Sequence, residues 1–152
     1  MTTSVTTRPG PTRRRAAVQL GATVTGAVFL VAGILGFVPG ITTGVGGLGF
    51  AGLGSQAFLL GLFQVSILHN LVHLLFGIAG LILGRTPAAA GSYLVWGGAI
   101  YLVLFVYGLV DGGGSLNFVP LNTADNVLHF VIGAGMVVAG VVLGRRGVGA
   151  HA

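Results

Sequence analysis

The stretch AFLLGLFQVSILHNLVHLLFGIAGLIL, residues 57–83, decides how this chain is read. It contains no charged residue. At about 1.5 Å per residue it is longer than a helix needs to cross the ~30 Å hydrocarbon core of a bilayer. Such a run either tilts as a span or opens with an interfacial piece near Phe58–Gln64 before the spanning helix begins. On that view Gln64 sits at the outer interface. His69 and His73 lie inside the run, and histidine at that depth is costly unless it faces other helices or water. Three more uncharged apolar runs flank it: Ala16–Val38, Tyr93–Val110 and Ala124–Leu143. Pro39-Gly40 ends the first, Arg85-Thr86-Pro87 the second, Asp111 with its following glycines the third, and Gly144-Arg145-Arg146 the fourth. The expected fold is an all-α integral membrane protein, four transmembrane helices in a bundle.

Composition supports this. Apolar residues make up 54% of the 152 residues, and only seven arginines and two aspartates carry charge. A soluble domain carries about a quarter charged residues, so a soluble monomer is excluded, and the hydrophobicity excludes disorder. Cysteine is absent, which removes disulfides, thiol catalysis, cysteine zinc sites and iron–sulfur clusters. The net charge of +5 does not point to nucleic acid. Arg8, Arg13, Arg14, Arg15, Arg85, Arg145 and Arg146 all lie outside the apolar runs, and no basic stripe is interleaved with aromatics.

The arginines instead orient the chain. The first segment, the 84–92 loop and the last segment hold all of them, while the 39–56 and 111–123 loops hold none. The positive-inside rule then puts both ends on the cytoplasmic side of the cell membrane. Tyr93 and Trp96 fall at the inner interface and Tyr107 near the outer one. Residues 1–15 read as a disordered cytoplasmic tail, 16–145 as the transmembrane domain and 146–152 as a second cytoplasmic tail. Residues 1–38 have the outline of a signal peptide. Their apolar run exceeds the usual ~7–15 residues, though, and no A-x-A-like site follows, so they read as a retained span. The residues around Arg13–Arg15 do not make a twin-arginine signal.

The second and fourth spans resemble each other. His69-Asn70-Leu71-Val72-His73-Leu74-Leu75-Phe76-Gly77 lies over Asp125-Asn126-Val127-Leu128-His129-Phe130-Val131-Ile132-Gly133, with Asn, His and Gly coinciding. Both spans run in the same direction, so the chain reads as two helical hairpins in tandem about a pseudo-two-fold axis along the membrane normal. At about 100° per residue, His69, His73, Gly77, Gly80 and Gly84 fall within an ~80° sector. His129, Gly133, Gly140 and Gly144 do the same, with Asp125 beside them. Small residues at this spacing mark the face where helix backbones approach. Ala22, Gly26 and Gly33 in the first span, and Tyr93, Gly97, Tyr101 and Gly108 in the third, offer matching faces. A polar cluster of His69, Asn70, His73, Asp125, Asn126 and His129 is therefore expected inside the bundle, toward the outer side. Gly77, Gly80, Gly84, Gly133 and Gly140 are expected at helix contacts.

At these residues the chain resembles a bacterial membrane family catalogued as domain of unknown function 4383. The resemblance rests on Gly61-Leu62-Phe63-Gln64-Val65 through His69-Asn70-Leu71-Val72-His73 to Gly77 and Gly80. It rests again on Pro120-Leu121-Asn122-Thr123-Ala124-Asp125-Asn126-Val127-Leu128-His129. It covers roughly residues 16–145, and it implies a small four-span protein without implying an activity.

The cluster admits several chemistries. The plainest is an interhelical hydrogen bond from each imidazole, worth about 0.6 kcal/mol on average in a bilayer. In that case the cluster fixes helix packing or assembly in the lipid bilayer, in an oligomer or a membrane complex. His73 and His129, each followed at i+4 by glycine, could instead be axial ligands of a haem. His69, His73, His129 and Asp125 could form a metal site, although H-x-x-x-H lacks the glutamate of a zincin. The same groups could relay protons or line a small-solute pathway. Asp125 also has a local explanation: Asn122 or Thr123 caps the fourth helix, and a carboxylate suits its first turn. Asn70 and Asn126 could hydrogen-bond a neighbouring helix, and Tyr101 could serve as a phenol partner for a histidine. His151 reads as incidental. The glycine-rich 39–56 loop lacks G-x-x-x-x-G-K-[ST], so nucleotide binding is not indicated. No hydrolytic constellation stands out, which favours a non-enzymatic protein and leaves open an enzyme acting on a membrane substrate.

Overall fold

The structure, a computed structural model, describes residues 11–111, 114 and 116–144. Of the two expected tails, residues 1–10 and 146–152 lie outside the described residues, as do Arg8, Arg145, Arg146 and His151. Four helices form the frame: α1 (Pro11–Leu35), α2 (Ile67–Leu83), α3 (Pro87–Asp111) and α4 (Thr123–Gly144). α1 and α3 open on proline, whose fixed φ and missing N–H suit a first helical position. α1 therefore starts before Ala16 and takes Arg13–Arg15 into its first turns. Ser66 caps α2, its Oγ accepting from the His69 N–H at 3.1 Å.

Arg15–Leu35, Pro87–Asp111 and Thr123–Gly144 are long and apolar enough to cross a membrane, while α2 is apolar and shorter, with 17 residues. This marks a membrane protein. The helix surfaces agree: Leu20, Val24, Val28, Leu75, Ile82 and Val138 are exposed, whereas Asn70, His69 and His129 are buried. Lipid does not penalise the first group, and the polar groups turn inward.

The apolar run of residues 57–83 is not one helix. Its first part folds into strands β2 (Ala57–Leu59) and β3 (Phe63–Val65), and β1 (Thr42–Thr43) adds to β2. All pairs are antiparallel, with Thr42 opposite Leu59, Ala57 opposite Val65 and Leu59 opposite Phe63. The hairpin turns at Leu60 and Gly61, both at positive φ (54° and 69°), closed by the Leu62 N–H to Leu59 O at 3.1 Å. Paired positive φ values match the right-handed twist of hairpin strands. The interfacial piece expected near Phe58–Gln64 is thus a β-hairpin. With the 3-10 turn at Val45–Gly47 it forms a cap over one end of the helices. The Ile67 and Leu68 N–H groups donate to Gly49 O and Phe50 O, and the Gly52 N–H donates to Phe118 O at 2.6 Å, which ties the cap to α2 and to the α3–α4 connection.

α1 packs along α2 and α3 along α4, and α1 also meets α3 and α4. Glycines make these approaches close. A methyl group added at Gly77 would lie 2.5 Å from Leu30 N, and one at Gly80 2.6 Å from Gly26 Cα. In the other pair, a methyl at Gly133 would lie 2.9 Å from Gly98 O, and one at Gly140 2.7 Å from Val95 Cγ2. Gly84 meets Thr23 Oγ1 at 2.7 Å in the same sense. Tyr93 is not an interfacial anchor. It is buried, and its hydroxyl donates to Phe76 O at 3.1 Å, because Gly80 leaves room for the ring.

Gly77→Ala and Gly133→Ala should each cost about 1–3 kcal/mol, the usual range for overpacking. Gly135→Ala, where an added methyl meets nothing within 4 Å, should leave the melting temperature unchanged or raised. Thermal unfolding in detergent, followed by circular dichroism, checks the contrast.

Candidate functional site

One face of α2 and one face of α4 carry the imidazoles. His69 and His73, one turn apart, have ring centroids 4.4 Å from each other. His129 reaches them from α4, with its centroid 6.4 Å from that of His69. α1 and α3 supply the rest of the centre. Phe29 lies against His73 at 5.6 Å, Tyr101 lies edge-on against His129 at 5.0 Å, and Phe29 and Tyr101 stack at 4.9 Å. Phe76 closes on both at 5.9 and 5.6 Å. His73, Phe29, Tyr101 and His129 therefore form a continuous row of rings through all four helices. His69 Nδ1 and His129 Nδ1 are buried without a hydrogen-bond partner among the described residues.

The other residues singled out by sequence lie apart from this row. Asn70 and Asn126 each pack on a glycine: the Asn70 amide fills the space beside Gly36, just past the end of α1, and the Asn126 amide that beside Gly108 in α3. Asp125 belongs to the cap. Its Oδ2 accepts from the Asn122 N–H and the Gln64 N–H, both at 3.1 Å, while Asn122 Oδ1 accepts from the Asp125 N–H at 2.9 Å. That reciprocal pair is a capping box, with the same carboxylate also holding β3. Gln64 is buried within the protein, and its Nε2 donates to Ser55 O at 2.8 Å. Ser55 Oγ in turn donates to Val65 O at 2.5 Å.

This geometry bears on the chemistries open to the site. His73 and His129 are linked through Tyr101, at 6.5 and 5.0 Å, and through His69, at 4.4 and 6.4 Å. Among the described residues, no group of three or more histidine or carboxylate side chains is gathered to hold a metal ion. The carboxylate expected in such a set is turned to the backbone of Asn122 and Gln64. Phe29 and Phe76 are the members of the centre that the histidine pattern did not disclose. The signal for Phe29 was present: Gly26-Ala27-Val28-Phe29-Leu30-Val31 in α1 parallels Gly98-Ala99-Ile100-Tyr101-Leu102-Val103 in α3.

Apolar helices packed around a set of imidazole and aromatic rings define a helical membrane protein. The chain belongs to the family described as Domain of unknown function (DUF4383), whose model matches residues 19–142. No match is found among curated proteins or solved structures.

Asp125→Ala should destabilise the protein by about 1–3 kcal/mol, since two backbone N–H groups lose their acceptor. Asp125→Asn keeps an acceptor oxygen and should cost less. Hydrogen exchange at Gln64 and in β3 should quicken in the alanine variant well before exchange in α1 does.

Proposed function

We propose that this is a multi-pass inner-membrane protein of two pseudo-symmetric helical hairpins, α1–α2 and α3–α4, in a four-helix bundle with both chain ends cytoplasmic. Its buried ring cluster holds the hairpins together and does not turn over a substrate. The arginine distribution supports the orientation. Matched contacts support the repeat. Gly36 with Asn70 has its counterpart in Gly108 with Asn126. Gly77 against Leu30 has its counterpart in Gly133 against Leu102. His73 on Phe29 has its counterpart in His129 on Tyr101.

The observation that carries the packing role is the Phe29–Tyr101 stack. The two rings occupy equivalent places in the two halves and meet face to face, as residues beside a two-fold axis do. Lipid gives helices no hydrophobic reason to associate, so shape contact and polar pairing must hold the halves together. A stacked aromatic pair adds about 0.5–1.5 kcal/mol beyond its area, and the flanking imidazoles extend the same flat surface. The exposed apolar faces suit a protein that works in the bilayer, alone or assembled with further membrane chains.

Phe29→Ala and Tyr101→Ala should each cost about 3–5 kcal/mol in detergent melts. His73→Leu and His129→Leu keep shape without polarity and should stay within about 1.5 kcal/mol of the parent. With no native cysteine, Phe29→Cys combined with Tyr101→Cys should be bridged within one chain by dibromobimane, visible as a mass increase of the monomer. A chromophore or stoichiometric metal ion in protein from native membranes, lost in His129→Leu, would overturn the packing role.

A further inference from the structure

The cap is the part of the molecule that the helices do not explain. Residues 36–66 contain no charged side chain, and several of their large apolar groups are exposed: Phe50, Leu60 and Leu62 at 67%, 68% and 55%. Phe118, tied to the cap through Gly52, is 57% exposed. Exposed apolar surface of this kind marks contact with a membrane or a protein. The height of the α1–α2 pair chooses between them. At the arginine end, Gln19 Nε2 donates to Arg85 O at 2.7 Å, so Arg85 is level with Gln19. At the cap end, Asn70 lies beside Gly36, and Thr42 Oγ1 donates to Leu35 O at 2.8 Å, so α1 stops where α2 begins. The pair is thus as tall as the 17 residues of α2, about 25 Å, against ~30 Å of hydrocarbon. With Arg85 held at one interface, the roots of β2 and β3 lie beneath the opposite hydrocarbon boundary.

A backbone at that depth must satisfy its own polar groups. The cap does so. Its strands pair with one another, Ser55 and Gln64 side chains take up the carbonyls of Val65, Ser55 and Leu53, and Asn122 Nδ2 donates to Leu62 O at 2.8 Å. Thr42, Ser55, Gln64 and Ser66 are all buried, so these polar side chains face inward while Phe50, Leu60 and Leu62 face outward. A specific protein interface has a polar rim around its apolar patch. This cap offers no charged group for one.

We propose that the cap is a membrane-seated element. The Leu60–Leu62 turn, Phe50 and Phe118 insert among the lipids of the leaflet opposite the arginines, and the uncharged surface accepts zwitterionic lipid. The test uses full-length protein in phosphatidylcholine vesicles. Leu62→Trp and Phe118→Trp are made separately in a Trp96→Phe background, so each chain has one tryptophan. Both tryptophans are expected to emit blue-shifted light, to be quenched at least twofold by bromolipids labelled near the glycerol end of the chains, and to resist acrylamide. Acrylamide quenching without lipid quenching at either position places that position in water and overturns the proposal. A tryptophan reached by neither quencher is covered by protein, and that also overturns it. Both sites are exposed, so folding survives the substitutions. The parent melting temperature confirms it for each variant.

Discussion

Backbone-to-backbone contact at glycine is the interaction on which the rest depends. Gly26 meets Gly77 and Gly80 in one pair of helices, and Gly98 meets Gly133 in the other. Where two helices touch without side chains between them, their separation is set by main-chain atoms and is nearly incompressible. Everything nearby is then fixed in height and rotation. Phe29 and Tyr101 follow their glycines by one turn and are delivered to the same central plane. His73 and His129 precede theirs by one turn and arrive on either side of that plane. Any residue with a Cβ at Gly77 or Gly133 would push the helices apart, and the row of rings would lose contact with its neighbours.

Imidazole, phenyl and phenol are flat, and the row from His73 to His129 packs them as faces and edges. Among the described residues, the buried ring nitrogens His69 Nδ1 and His129 Nδ1 have no protein partner. The two asparagines serve a different purpose. Each fits its amide over a glycine near the cap end and settles how far the two helices of its own hairpin may slide.

The membrane character, four apolar segments and the glycine faces could be read from the sequence because each follows from a period or a count. The β-hairpin could not, because Ala57–Val65 is as apolar as the helix that follows it, and a short apolar run fits strand or helix equally. What separates them is Ser66, a lone hydroxyl whose capping role shows only once the His69 N–H is seen on it. Among the polar residues, the histidine positions were legible from helical geometry. The destination of Asp125 was legible only in part, since its capping of α4 is local and its bond to Gln64 is not. Tyr93 misled because an aromatic beside a charged loop fits an interfacial anchor, and its true place depends on the gap left at Gly80.

The bond from the Gln64 N–H to Asp125 spans 61 residues of sequence. A chain made from its first residue onward completes α1, the cap and α2 well before α4 exists. Until then, β3 waits for its carboxylate, and the Gly52 N–H waits for Phe118 O. The first hairpin can therefore enter the membrane early, while its lid acquires its final fastening only when the last helix is delivered. Closure of the cap thus depends on α4 being in place, and a chain cut short before Asp125 would leave the Gln64 N–H without its carboxylate.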